Sequence, residues 1–216
     1  MTAKTIRVML VDDHAVVRMG FKLLLQTCED IAVVAEADSG ESACQQCEAV
    51  QPDVLVMDLA MAGMGGIEAI KRLAAKGVAT RILALSAHED SSHPRRALQA
   101  GALGYLSKRS APEALIDAIR CVARGQRYLD AQIAQRMAVQ GVAGEQGPME
   151  KLSAREFEVF VQLARGRTVA QISESLKLSS STVGTHLYNI KQKLALSNQA
   201  EMTLLAVRHG LIDVSD

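Results

Sequence analysis

Carboxylates stand at two places where an apolar run ends. Asp12 and Asp13 follow the run VMLV, and Asp58 follows the run VLVM. Clustered carboxylates repel one another and need a cation, and such oxygen ligands suit Mg²⁺, which bridges readily to a phosphate. A hydroxyl and an ammonium end two later runs, at Ser86 and Lys108. Together these groups favour phosphoryl transfer, with one carboxylate as nucleophile and the hydroxyl and ammonium binding phosphoryl oxygens.

A parallel sheet would bring these groups together. The first 125 residues alternate short apolar runs with amphipathic stretches, which is typical of strands joined by crossover helices. Chemistry in such sheets gathers beyond the carboxyl ends of the strands. We predict strands at residues 6–11, 32–37, 54–57, 81–85 and 104–106. The predicted helices are residues 15–27, 39–49, 66–76, 91–100 and 111–123, with Ser39 and Ser110 as N-caps.

Four stretches of this first domain, residues 1–124, point to a known family. VDDH, DLAMAGMGGIE, LALSAH and GYLSKRSAPEALIDAIR together resemble the receiver domain of two-component response regulators. The resemblance implies an α/β, flavodoxin-like fold with five parallel strands, and it makes Asp58 the phospho-acceptor. It also implies a Mg²⁺ site formed by Asp12, Asp13, Asp58 and the backbone carbonyl of Ala60.

The same resemblance assigns a switch to Ser86 and Tyr105. On phosphorylation the hydroxyl moves to the phosphoryl group and the aromatic ring turns inward, while Lys108 pairs with the phosphate. The family commonly has Pro where this chain has Ala62. We therefore expect a looser loop after Asp58, with every reacting group still in place.

Two other sets of side chains are interpreted as not taking part in the chemistry. Cys44 and Cys47 form a Cys-x-x-Cys pair, but they fall in a predicted helix and no second pair follows, which favours a structural role. His14 and His88 flank the predicted pocket, and we interpret them as contact residues for a partner.

The chain changes character after residue 125. Residues 131–139 fit one more helix, and QGVAGEQGP is a Gly-rich breaker, so we predict a linker over residues 125–148. Ser153 and Glu156 then fit a capping box. No strand pattern follows, and four helices are predicted at residues 153–165, 169–176, 180–194 and 199–209. The second domain, residues 149–216, is therefore all-α.

A helix, a tight turn and a longer helix in this domain are the pattern of a helix-turn-helix. Residues 152–212 are closely similar to the LuxR-type helix-turn-helix of the NarL/FixJ class of response regulators. The similarity makes residues 180–194 the recognition helix in the major groove. Its implied DNA contacts are Ser180, Ser181, Thr182, Gly184, Thr185, Tyr188 and Lys191. Its implied dimer contacts, on the final helix, are Met202, Leu205, Ala206 and His209.

Gly184 is a departure from this family, whose members often carry Lys at that position. Residues 151–216 hold only 8 basic against 6 acidic side chains, so the positive charge for DNA is thin. We expect low intrinsic affinity, with Thr185 and Tyr188 and dimerisation as compensation.

The two resemblances together imply a response regulator. A sensor histidine kinase or a small acyl phosphate would phosphorylate Asp58 with Mg²⁺ bound. In the family the unphosphorylated receiver often covers the recognition helix. Phosphorylation would release that helix, permit a homodimer and allow control of RNA polymerase at promoter DNA. We expect no enzymatic activity beyond the chain's own phosphoryl transfer and dephosphorylation. No apolar run of membrane-spanning length and no secretion signal is evident, which predicts a cytoplasmic protein without a membrane partner.

Two alternatives remain open. Gly184 and the thin positive charge are compatible with a receiver-controlled protein-interaction module whose DNA binding is weak or lost. An aspartyl phosphatase would share the Asp58 chemistry, but it usually needs a nearby second carboxylate, and Ala60 stands two residues after Asp58. Salt-dependent binding to promoter DNA would argue against the first alternative, and turnover of an exogenous phosphomonoester would favour the second.

Overall fold

Apolar runs that are buried on both faces form a parallel sheet in the first part of the chain. The computed structural model describes residues 5–87, 92–142, 148–209, 211 and 212, so His88 lies outside the described residues. The chain divides into two compact units between residues 139 and 140. The strands are β1 (Ile6–Val11), β2 (Ile31–Ala37), β3 (Val54–Asp58), β4 (Arg81–Ser86), β5 (Gly104–Ser107) and β6 (Tyr128–Leu129).

The order of these strands across the sheet is β2-β1-β3-β4-β5-β6, and all the pairs are parallel. The predicted flavodoxin-like fold is confirmed, with one strand more than the predicted five. The additional strand β6 pairs Tyr128 with Gly104 and lies in the segment that we predicted as a linker. That segment therefore begins as part of the sheet, and residues 143–147 of it lie outside the described residues.

Helices cover both faces of the sheet, as all-parallel sheets require. They are α1 (Ala15–Gln26), α2 (Gly40–Val50), α3 (Gly66–Ala75), α4 (Ser92–Ala100) and α5 (Pro112–Ala123), and a further helix, α6 (Ala131–Val142), follows β6. Ser39 caps α2 as predicted, by accepting from the amide of Ser42. The prediction that Ser110 caps α5 is wrong. Ala111 is the N-cap and Pro112 begins the helix, while the Ser110 hydroxyl donates to Asp130.

Free thiols on α2 belong to the packing of this unit. Cys44 and Cys47 are both buried, and neither forms a disulfide. Burial raises the pKa of the Cys44 thiol, which disfavours the reactive thiolate. This environment agrees with the structural role that we predicted for the pair.

The second unit is helical, as predicted. A short 3-10 helix (Pro148–Lys151) precedes α7 (Ala154–Ala164), α8 (Val169–Leu176), α9 (Ser180–Leu194) and α10 (Gln199–Arg208). The predicted capping box of Ser153 and Glu156 is present at α7, and Thr168 and Gln171 form a second one at α8. The core contains Phe157, Phe160, Ile172, Val183 and Ile190. Among the described residues, no helix is both long enough and apolar enough to cross a membrane.

Candidate functional site

The carboxyl ends of the strands bring the predicted acidic residues to a common edge of the sheet. Asp58 ends β3 opposite Leu85 of β4, and Asp12 directly follows β1. Their side chains are buried, with only 3% of Asp12 and 1% of Asp58 exposed. The ammonium of Lys108 lies between them, 2.6 Å from Asp12 Oδ2 and 2.7 Å from Asp58 Oδ2. The structure therefore brings these three groups together, although Asp12 and Lys108 are 96 residues apart in the sequence.

Burial and charge set the protonation of this pocket. Burial raises the pKa of the Asp58 carboxyl, and the positive charge of Lys108 opposes that rise. Burial acts to lower the pKa of Lys108, but the charge of Asp58 and the hydrogen bond to Asp12 outweigh it and raise that pKa. The raised pKa keeps Lys108 protonated between the carboxylates of Asp12 and Asp58.

The donor set of the pocket fits a Mg²⁺ ion. Asp12, Asp13, His14 and Asp58 each offer one ligand atom, and these atoms lie within 4.8 Å of one another. Asp13 Oδ1 is buried and accepts no hydrogen bond, so a carboxylate oxygen remains for a cation. His14 Nδ1 is 2.8 Å from that oxygen, which is an ion pair only when the imidazole is protonated. The His14 side chain is 68% exposed, and its predicted role as a partner contact stays a prediction.

The loop after Asp58 is bonded to two acidic side chains. The amide of Ala62 donates to Asp13 Oδ2 at 3.3 Å, and the amide of Met64 donates to Glu41 Oε1 at 2.8 Å. Proline at position 62 could not make the first of these bonds, because it has no N–H. The expectation of a looser loop stays a prediction, because the alanine adds a bond to an acidic side chain of the pocket but lacks the fixed φ of proline.

The predicted switch residues are both wholly inside the protein. Ser86 ends β4 and Tyr105 lies in β5, and neither side chain is exposed to solvent. The Tyr105 ring is completely buried in this structure, and its switch role stays a prediction. Lys108 is anchored beside Ser86, because its amide donates to the Ser86 carbonyl at 2.8 Å.

The second candidate surface is the outward face of α9. Val183 and Ile190 of this helix are completely buried, and Tyr188 is 64% exposed. The side chains of the predicted DNA contacts that lie on the open side are Ser180, Ser181, Thr182, Thr185 and Tyr188. This face carries hydroxyls and one aromatic ring, but its first two turns carry no charge.

The basic side chains at the end of α9 are already engaged within the domain. Lys191 Nζ donates to the carbonyl of Ser197 at 2.9 Å. Lys193 Nζ donates to Glu156 Oε2 at 2.5 Å, and Glu156 is only 4% exposed. Burial acts to raise the pKa of Glu156, but the bonds from Lys193 and Ser153 outweigh it and lower that pKa. The ion pair with Glu156 offsets the charge of Lys193, whereas the bond of Lys191 to a neutral carbonyl leaves the charge of Lys191 in place.

Two of the four predicted dimer contacts are wrong. Met202 and Ala206 belong to the core of the domain, with 1% and 0% of their surface exposed. The periodicity of α10 places them toward α7, and Leu205 and His209 are partly buried. Leu204 of the same helix is 53% exposed, although an apolar residue of an amphipathic helix is normally expected in the core.

Gly184 leaves room for a larger side chain. A Cβ built at this position of α9 meets no atom within 4 Å. We expect Gly184→Lys to bind DNA about fivefold more tightly and to steepen the salt dependence by roughly one counterion. Gly184→Ala, the control, should gain only helix stability, about 1 kcal/mol. Fluorescence anisotropy with any DNA duplex at several salt concentrations measures the affinity and its salt dependence. Equal DNA affinity of the two variants would contradict the prediction.

Two known families match this chain, one over the acidic pocket and the other over the helical unit that contains α9. Residues 8–120 match the family described as response regulator receiver domain. Residues 150–206 match the family described as bacterial regulatory proteins, luxR family. The first match covers the acidic pocket, and the second covers α7 to α9 and most of α10.

Known response regulators are similar to this chain. The chain is 42% identical over 208 residues to the response regulator UvrY of Escherichia coli, with 95% of each chain covered. It is 39% identical over 212 residues to the response regulator GacA of Pseudomonas aeruginosa, covering 97% of this chain and 99% of that one. A solved LuxR-family two-component response regulator from Aurantimonas is 40% identical, with a TM-score of 0.62, and covers 64% of this chain and 99% of its own.

Proposed function

The chain belongs to the NarL/FixJ-class response regulators, which join a receiver domain to a LuxR-type DNA-binding domain, and from this membership we propose that phosphorylation of Asp58 controls transcription. The observation that carries the proposal is the buried pocket of Asp12, Asp58 and Lys108. Such a pocket holds a carboxylate nucleophile beside a cation that does not need to be recruited.

The residues divide the phosphoryl transfer between them. A carboxylate oxygen of Asp58 attacks the phosphorus of the donor, and the bond from phosphorus to the donor's nitrogen or oxygen breaks with its electrons leaving on the donor. Lys108 exchanges its ion pair with Asp58 for one with the phosphoryl group. Ser86 supplies a hydroxyl from the neighbouring strand end. Mg²⁺, held by Asp12, Asp13, Asp58 and the Ala60 carbonyl, would neutralise charge on the phosphoryl oxygens.

The proposed phosphoryl donor is a sensor histidine kinase, or a small acyl phosphate. Support for a protein donor comes from α1, which begins beside the acidic pocket. Val16, Met19 and Leu23 of this helix are 86%, 57% and 57% exposed. An apolar stripe that leads away from the phospho-acceptor suits a partner protein that must hold its phosphohistidine at Asp58.

The proposed output is regulated binding to promoter DNA. Phosphorylation would favour a homodimer that presents two α9 helices to two half-sites and so affects RNA polymerase. The exposed hydroxyls of α9 and its uncharged first turns support recognition by polar contacts and by the helix N-terminus. Because promoter DNA is the proposed partner, we also propose a cytoplasmic location.

The receiver-controlled protein-interaction module remains a second candidate. The feature that favours it is the thin positive charge of α9, where Lys193 is paired with the carboxylate of Glu156. We propose that the chain is not a phosphatase, because the residue two positions after Asp58 is Ala60, which offers no acid or base.

Acetyl phosphate tests the first step directly. We expect wild-type protein to gain one phosphoryl group in the presence of Mg²⁺, detected by intact mass and removed by hydroxylamine, and to gain none in EDTA. Asp58→Asn should remain unmodified, whereas Asp117→Asn, an exposed carboxylate on α5, should be modified like the wild type. Labelling of Asp58→Asn at the wild-type rate would show that another residue accepts the phosphoryl group.

A further inference from the structure

Arg18 of α1 joins the end of β1 to strand β2. Its Nη1 donates to the carbonyl oxygen of Asp12 at 2.6 Å, and its Nε lies 3.3 Å from Glu36 Oε2. The other oxygen of Glu36 accepts from Lys22 Nζ at 2.6 Å. The Arg18 side chain is only 20% exposed, and charge-assisted bonds are stronger in such a partly dry setting.

The carbonyl that Arg18 binds belongs to the peptide unit that joins Asp12 to Asp13. A peptide unit is planar, so a bond that fixes its carbonyl also fixes the amide of Asp13 and the direction in which that residue leaves the chain. On the other side, the amide of Asp12 donates to the carbonyl of Ala37 at 3.2 Å. The main chain of Asp12 is therefore held from β2 through its amide and by Arg18 through its carbonyl.

We propose that Arg18 is a positioning residue for the metal site. By holding the Asp12–Asp13 peptide unit, it turns the two neighbouring carboxylates toward Asp58. Arg18 acts through the backbone of Asp12 and touches neither the metal nor the phosphoryl group. The proposal rests on the proposed function, because these carboxylates serve there as ligands of Mg²⁺.

Lys22 offers a matched control for the ion pair with Glu36. It is on the same helix and binds the same carboxylate, but it makes no bond to Asp12. If Arg18 served only to neutralise Glu36, its loss and the loss of Lys22 would affect the pocket alike. If Arg18 positions the peptide unit, only its own loss disturbs the carboxylates.

The experiment compares Arg18→Met with Lys22→Met in the full chain. Isothermal titration with MgCl₂ should show affinity weakened about tenfold in Arg18→Met and less than about twofold in Lys22→Met. In EDTA, the amide resonance of Asp13 should shift in Arg18→Met and stay in place in Lys22→Met. Equal Mg²⁺ affinity in wild type and Arg18→Met would overturn the proposal, as would equal weakening in both variants.

Arg18→Lys tests the proposal if Arg18→Met does not fold. It keeps a positive charge and one donor near the Asp12 carbonyl, so we expect Mg²⁺ affinity between those of the wild type and Arg18→Met. If only Arg18→Lys folds, wild-type affinity together with an altered Asp13 resonance would also overturn the proposal. Failure of wild-type protein to bind Mg²⁺ is a different result, since it would contradict the proposed function itself.

Discussion

Lys108→Met is expected to lower the free energy of unfolding by about 3 kcal/mol at neutral pH in the absence of Mg²⁺. The side chain of Lys108 is only 15% exposed, and its ammonium forms ion pairs with both Asp12 and Asp58. Its removal leaves two buried carboxylates facing each other without a cation. Mg²⁺ should restore much of the lost stability, because it supplies the missing positive charge at the same carboxylates.

The loss in Lys108→Met should also depend on pH. When the pKa of a carboxyl is higher in the folded protein than in the unfolded chain, the free energy of unfolding falls as the pH rises through the folded pKa. Burial raises the pKa of Asp58, and loss of Lys108 should raise it further. The difference in the free energy of unfolding between wild type and Lys108→Met should therefore become smaller as the pH falls and Asp58 is protonated. Urea unfolding at several pH values measures this difference.

Lys76→Met provides the control for the Lys108 prediction. Lys76 forms an ion pair of 2.5 Å with Glu48, but both side chains are about half exposed. Exposed pairs contribute about 1 kcal/mol or less, so this variant should unfold nearly like the wild type at every pH. If Lys108→Met and Lys76→Met lower the free energy of unfolding by the same small amount, the carboxylates of the pocket do not need Lys108. Its assigned role as their counter-charge is then wrong.

Gly66→Ala is expected to lower the free energy of unfolding by about 2 to 3 kcal/mol and to slow phosphorylation of Asp58. A Cβ on Gly66 would lie 2.1 Å from the carbonyl oxygen of Asp58 and 2.7 Å from the Cα of Leu59. Both neighbours are backbone atoms, so the strand end that carries the phospho-acceptor must move. The measurements are urea unfolding and the rate of labelling by acetyl phosphate.

Gly20→Ala isolates the steric part of that effect. Gly20 is also helical, in α1, and its added Cβ would meet no atom within 4 Å. We expect this variant to be up to about 1 kcal/mol more stable than the wild type, because alanine favours helix, and to be labelled at the wild-type rate. A Gly66→Ala protein as stable and as reactive as Gly20→Ala would contradict the contact of α3 with Asp58.

The sequence was sufficient to predict the pocket because strand ends are readable from local pattern. The apolar runs before Asp12 and Asp58 predict buried parallel strands, and parallel strands place their carboxyl ends at one edge. The bond from Arg18 to the Asp12 carbonyl was not predictable in this way. Side-chain bonds to backbone groups of another element depend on tertiary positions that no periodicity records.

The errors on α10 have a similar cause. Met202 and Ala206 are apolar residues of a helix to which the family resemblance assigns the dimer contact, and that resemblance alone could not decide which face packs inward. Strand β6 was missed because Tyr128 and Leu129 form a run of only two residues, which carries no alternation. In both cases the neighbouring elements, rather than the local sequence, decide the outcome.

The most direct test of phosphorylation-controlled DNA binding is a gel shift of genomic fragments with full-length protein, before and after Mg²⁺-dependent phosphorylation by acetyl phosphate. We expect phosphorylated wild type to bind its fragments about tenfold or more tightly than the unmodified protein, and we expect Asp58→Asn to show no change on the same treatment. Fully phosphorylated protein that binds no fragment more tightly than unmodified protein would contradict the account and would favour the protein-interaction module.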